Sequence, residues 1–199
     1  MDYYDLGAYT RGITAKSTEA QTWFDRGLNW TYGYNHGEAI ACFQKAAEHD
    51  PGCAMAHWGV SYAAGPNYNL PWHLYDPKGR QMALEAAYDA MQEALKHIDG
   101  VSPVEAGLIK ALQARYPQRE PIEDMRPWNI DYTNEMRKLF EANRDDLEVR
   151  TVFAEAIMNE TPWKMWDLKT GKPAEGARTE EAIAVLDEAF ETMPASWDH

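Results

Sequence analysis

The chain has 199 residues, 45% of them hydrophobic and 12% aromatic with eight Trp, and a formal net charge of −13. That much apolar material fills a core, so a disordered chain is excluded. The acidic balance argues against partners that demand a basic surface, namely nucleic acid and anionic membranes.

Burying one Trp removes roughly 200 Å² from water. At about 25 cal/mol per Å², most of the eight Trp are expected to pack, against the core or against a ligand. No apolar run is long enough to cross a membrane, and Met1 to Ala20 lacks the basic-then-apolar pattern of a secretory signal. Cys42 and Cys53 have neither zinc nor redox spacing. A cytoplasmic protein with reduced thiols is expected.

In chain order, residues 1–16 have no helical period, but Tyr3, Tyr4, Leu6 and Tyr9 suggest an arm packed on the rest of the chain. Ser17 or Thr18 caps a helix running to about Tyr34. Gly37 marks a turn, and a partner helix runs from about Glu38 to His49, stopped by Pro51. The next pair is about Cys53 to Ala64 and Arg80 to Ile98, separated by a non-periodic stretch from Asn67 to Lys78. Ser102-Pro103-Val104-Glu105 reads as a capping box opening a helix to about Tyr116. After an insertion from Pro117 to Pro127, helix resumes to about Arg144. The fourth pair is about Leu147 to Asn159 and Thr179 to Met193-Pro194, around an insertion at residues 160–177.

Three insertions thus fall between the two helices of the second, third and fourth pairs. Each carries a Pro-Trp box: Pro71-Trp72-His73-Leu74, Pro127-Trp128-Asn129-Ile130 and Pro162-Trp163-Lys164-Met165. Tyr75-Asp76 and Trp166-Asp167 extend the likeness between the first and third. Equivalent insertions in a stack map to one edge, which predicts a Trp-rich rim. These Trp either plug gaps between helix ends or wall a pocket.

Trp23, Gly27, Trp30, Ala39, Phe43, Ala46 and Pro51 carry the spacing of a 34-residue helix–turn–helix unit. Its back half recurs as Ala182, Leu186, Ala189, Pro194, and in part as Ala87, Met91, Ala94. Over residues 20–194 the chain resembles the tetratricopeptide-repeat family. The segments Tyr34-Asn35-His36-Gly37-Glu38-Ala39, Asp50 through Gly59 and Gly65-Pro66-Asn67-Tyr68-Asn69 are similar to a microbial subgroup with extended insertions, whose chains usually continue into further helices. The resemblance implies an all-α, right-handed helical-repeat array of about four helix pairs, units about 17–52, 53–100, 102–144 and 147–194, preceded by the arm. It also implies binding of peptide segments on the inner face, and an array that continues past His199. The Lys/Arg/Asn clamp of one well-known binding mode is missing: the inward positions on the first helix are Phe24, Leu28 and Thr31. An apolar groove, or one filled by the arm, is expected instead.

His36 in the first inter-helix turn is a packed residue or a ligand-binding one. Cys53, Met55 and His57 form a set of soft ligands, but Met55 falls off the face that Cys53 and His57 share. Asp145, Asp146, Glu180 and Glu181 read as solvated helix-start charges. No nucleophile, phosphate-loop or zinc-protease motif is present. The expected function is a non-catalytic scaffold without cofactor or metal. It holds a partner-protein segment or small hydrophobic ligand through Phe24, Leu28, Trp58, Asn67, Asn69, Trp72, Trp128, Trp163 and Trp166. The alternative is an enzyme or cofactor-binding protein in which the insertions close a pocket and His36, His57 and His73 converge with Asn67, Asn69 and Asn159. Self-association through the C-terminal repeat end is a further expectation.

Overall fold

The structure is a computed structural model, and it describes residues 3–192. Among these, eight α-helices make an all-α fold: α1 Thr18–Tyr32, α2 His36–His49, α3 Ala54–Ala64, α4 Pro77–Lys96, α5 Pro103–Arg115, α6 Arg126–Ala142, α7 Leu147–Met158 and α8 Thr179–Thr192. The only strands among the described residues are β1 Trp166–Asp167 and β2 Lys172–Pro173, a small antiparallel hairpin in the last insertion. The expected ending at Met193-Pro194 lies outside the described residues. No described helix is long and apolar enough to cross a membrane.

Each helix packs chiefly on its neighbours in sequence, and α1 also touches α3 and α3 touches α5. The Phe43 ring shows how close these contacts are. A Cβ built on Gly27 of α1 would come within 2.5 Å of it, and one on Gly59 of α3 within 2.4 Å. Two glycines therefore make room for one aromatic at the junction of α1, α2 and α3. Gly107 of α5 makes the same kind of room for Leu139 of α6.

Several boundaries differ from the sequence expectation. The first turn falls at Gly33 to Asn35, with Gly37 inside α2. Tyr34 turns the chain at φ 60°, and the Asn35 side chain accepts the Glu38 N–H. Helix α4 starts earlier because Asp76 caps it, accepting the Gly79 N–H at 2.9 Å, with Pro77 in the first turn. The capping box at Ser102 and Glu105 is present. Asp146 is not a solvated charge: it caps α7 and pairs with Arg11 at 2.8 Å. Glu181 pairs with Arg137 and Arg178. Thr179 is helical, and its hydroxyl donates to the Met165 carbonyl.

The arm lies against the helices. Tyr3 donates to Glu38 at 2.8 Å and accepts from Trp30 at 2.7 Å. Thr10 and the Arg11 N–H donate to Asp25, Thr14 donates twice to Glu105, and the Lys16 N–H donates to Asp50. The Tyr9 hydroxyl donates to the buried Glu148. Glu105 and Glu148 lie in the first turns of α5 and α7 and Asp25 at the middle of α1, so the arm crosses the first helices of three pairs.

Candidate functional site

Toward the C-terminal ends of α1, α3 and α7 a pocket of about 180 Å³ opens. Thr31 and Tyr32 come from the end of α1, Tyr34 and His36 from the turn into α2, and Tyr62 from the last turns of α3. Pro66, Asn67 and Tyr68 of the α3–α4 connection form one side. Thr151, Ala154, Glu155 and Met158 of α7 form another, and Leu186 of α8 closes it. The walls are mostly apolar and aromatic, the usual make-up of a small-molecule site.

Tyr62 and Glu155 form the polar element of the wall. The Tyr62 hydroxyl donates to Glu155 Oε2 at 3.2 Å, and the Asn159 amide donates to Oε1. Burial raises the Glu155 carboxyl above its ordinary value. Arg115 nearby, with the Asn159 and Tyr62 donors, pulls it part of the way back. Burial, reinforced by Glu155, pushes the Tyr62 hydroxyl well up, so it stays a donor. Burial lowers His36, the Tyr34 backbone bond opposes this, and the charge of Arg115 adds to it. The imidazole is therefore neutral at pH 7 and can accept a proton donor.

Behind this wall is a buried polar layer. Arg115, wholly buried at the end of α5, donates to the Pro66 carbonyl at 2.9 Å and to Asn129 Oδ1 at 3.3 Å, and its guanidinium lies 4.9 Å from the Tyr132 ring centre. Arg115 Nη1, the Tyr116 and Tyr132 hydroxyls and Asn159 Oδ1 are buried without a hydrogen-bond partner among the described residues. Burial pushes the Tyr116 hydroxyl up to about 12.

The residues expected at the site are scattered. Phe24, Leu28 and Trp58 are 0–1% exposed, so they form core and no groove wall. Their faces are the ones on which α1, α2 and α3 pack, and none is left free for a ligand. Trp58 still stacks on Tyr62 at 5.0 Å and so backs the pocket. Asn67 lines the pocket; Asn69 lines a neighbouring depression with Tyr75, and the Asn67 side chain accepts its N–H.

The Trp boxes do not form a continuous rim. Trp72 is buried in a 3-10 turn, Trp72–Leu74. Trp128 is buried too, in the first turn of α6, where Pro127 fits a helix start. Only Trp163, 63% exposed, and Trp166, 44% exposed, remain at the surface. Trp163 takes a left-handed φ of 65° and stacks on the pocket residue Tyr68 at 5.7 Å. Tyr34 and Trp163 are the non-glycine residues with positive φ among those described. One lines the pocket and the other braces it, the kind of place where backbone strain gathers.

Of the three His expected to converge, only His36 reaches the pocket. His73 is exposed in the 3-10 turn, and His57 stacks on His97 at 6.0 Å. Sequence reasoning passed over Tyr62, Arg115 and Glu155. A signal existed for Arg115: it stands at i+7 from Leu108 and i+3 from Leu112, a charge on the apolar stripe of α5. Tyr62 and Glu155 meet only through the packing of α3 near α7. Comparison with family models, curated proteins and solved structures found no match.

Proposed function

We propose that the chain is a tetratricopeptide-like binding module. Its inner face holds a compact, largely apolar group carrying a hydrogen-bond donor. The observation that carries this is the pocket of about 180 Å³ with Glu155 in a mostly apolar and aromatic wall. The volume matches one aromatic ring with a short substituent, since a dry cavity of about 150 Å³ accepts benzene. Glu155 and the neutral His36 accept the donor, and the rings of Tyr62 and Tyr68 flank the apolar body. The occupant is a small ligand, or one side chain of a partner segment that enters the pocket.

The spacing of Gly27, Phe43 and Ala46 supports the repeat reading, as does the chain-order pairing of the helices. No described residue of the arm lines the pocket, so the arm leaves it open to a ligand. The buried free thiols of Cys42 and Cys53 fit a reducing compartment such as the cytoplasm. Ile183 and Phe190 are exposed on α8, which favours a second contact there, with another copy or with further helices.

A panel of phenols, indoles and small aromatic amines, screened by thermal shift and Trp fluorescence, tests the reading. Binders are expected to stabilise the wild type and to lose affinity in Glu155→Gln. A panel that shifts neither signal, or binders indifferent to Glu155 and Tyr62, removes the pocket as the site.

A further inference from the structure

A second constellation lies away from the pocket. His57 in the first turns of α3, Glu93 in the last turn of α4 and His97 at its C-cap place one ligand atom each within 4.8 Å of one another. From these side chains we infer a binding site for a first-row divalent cation, zinc by chemical preference. Two imidazoles and one carboxylate are a three-ligand set that leaves a fourth tetrahedral position open.

Four features support it. Glu93 and His97 are four residues apart, so the end of α4 presents them on one face. Their facing atoms, Oε1 and Nε2, are already 3.6 Å apart. Bonds of about 2.0–2.2 Å put neighbouring tetrahedral ligand atoms roughly 3.4 Å apart, so this pair needs almost no movement. His57 Nε2 lies 3.0 Å from the Pro51 carbonyl. A carbonyl only accepts, so that nitrogen carries the proton and the other keeps the lone pair, the outer bond that orients a ligating imidazole. Finally, the carbonyl end of α4 carries partial negative charge, which favours a cation beside His97.

The surroundings permit access. All three side chains are partly exposed, so an ion can reach them from solvent. Lys96 bonds Glu93 through Oε2, which leaves Oε1 for the metal. Asp50 and Asp99 line the groove beside His97 together with Lys16 and Lys96, so the carboxylates there offset the ammonium groups.

The test uses the full chain without a histidine tag, stripped with chelator and titrated with Zn²⁺ by calorimetry. Co²⁺ serves as a spectroscopic probe of tetrahedral ligation. One Zn²⁺ per chain is expected. His57→Ala and His97→Ala should each weaken it by roughly tenfold or more, at least the loss seen when an outer partner of a ligand is removed. Glu93→Gln should weaken it while circular dichroism reports an intact fold. His49→Ala, a histidine outside the cluster, should leave binding unchanged. Absence of binding, binding that survives both substitutions at His57 and His97, or equal loss in His49→Ala overturns the site.

Discussion

Tyr62 on α3 donates its hydroxyl proton to Glu155 on α7 across 3.2 Å, joining two helices through residues 93 apart in the chain. The bond closes one side of the pocket. It also leaves the carboxylate facing a mostly apolar pocket, next to a layer that holds Arg115.

Removing the donor isolates the value of this bond. Tyr62→Phe removes the donor to the partly buried Glu155 Oε2 and is expected to destabilise by about 0.5–1.5 kcal/mol, the net worth of a hydrogen bond whose acceptor water can reach. Urea denaturation of the single variants and of Tyr62→Phe/Glu155→Gln completes a double-mutant cycle. A smaller loss for Tyr62→Phe in the Gln background is expected; an equal loss would show that the ring, not the hydroxyl, matters.

The same carboxyl gives a pH dependence of definite sign. Its pKa is raised in the folded state, so the folded chain holds its proton more tightly. The stability it contributes is complete below the ordinary glutamate value of 4.5 and is lost as pH rises through the raised value. Glu148 is raised by burial as well. In Glu155→Gln this loss disappears, so the melting temperature of the variant relative to wild type should climb as pH increases. A constant difference across the range would contradict the assignment.

Gly59→Ala probes the junction of α1, α2 and α3. The added methyl would sit 2.4 Å from the Phe43 ring. Overpacking of this kind costs about 1–3 kcal/mol, read as a drop in the urea midpoint. Phe43→Leu in the same background should recover part of it. A Gly59→Ala chain as stable as wild type would mean the ring moves freely.

The same residues show what a sequence can reveal. Gly27, Phe43 and the Ala positions repeat at helical spacing because close packing forces small and large residues into fixed places, so helix number and pairing are legible. The Pro-Trp boxes are not. Their local chemistry is alike, but Pro127 opens a helix, Pro71 precedes a 3-10 turn, and Trp163 sits on a left-handed backbone before a hairpin. Phe24, Leu28 and Trp58 read as groove residues because periodicity identifies an apolar face without saying what covers it. The pair Tyr62 and Glu155 has no local signature at all, since only tertiary packing brings it together.

Glu105 ties the arm to α5. Burial alone would raise its pKa, but the hydrogen bonds from Thr14 and Ser102 outweigh that and bring it below its ordinary value of 4.5. The sign is therefore opposite to that of Glu155. Its contribution is present above 4.5 and is lost as pH falls through the lowered value. Glu105→Gln should cost about 1.5–3 kcal/mol near neutral pH, the range for bonds to a charged group. It should also speed proteolysis within residues 3–16. Unchanged cleavage would show that Tyr3, Tyr9 and Arg11 hold the arm without Glu105.

Tyr34 offers a test that separates stability from binding. Its φ of 60° places a bulky side chain in the left-handed region, which costs roughly 1–2 kcal/mol against glycine. The ring is 58% exposed and lines the pocket beside His36, so little packing is lost with it. Tyr34→Gly should therefore leave thermal stability unchanged or higher, since relief of strain offsets the entropy glycine gains when unfolded. Affinity for a pocket ligand should fall, because one aromatic wall is gone. Differential scanning calorimetry and ligand titration on the same preparation read the two effects. A variant that loses stability and keeps its affinity would show that Tyr34 holds the α1–α2 turn and takes no part in the pocket.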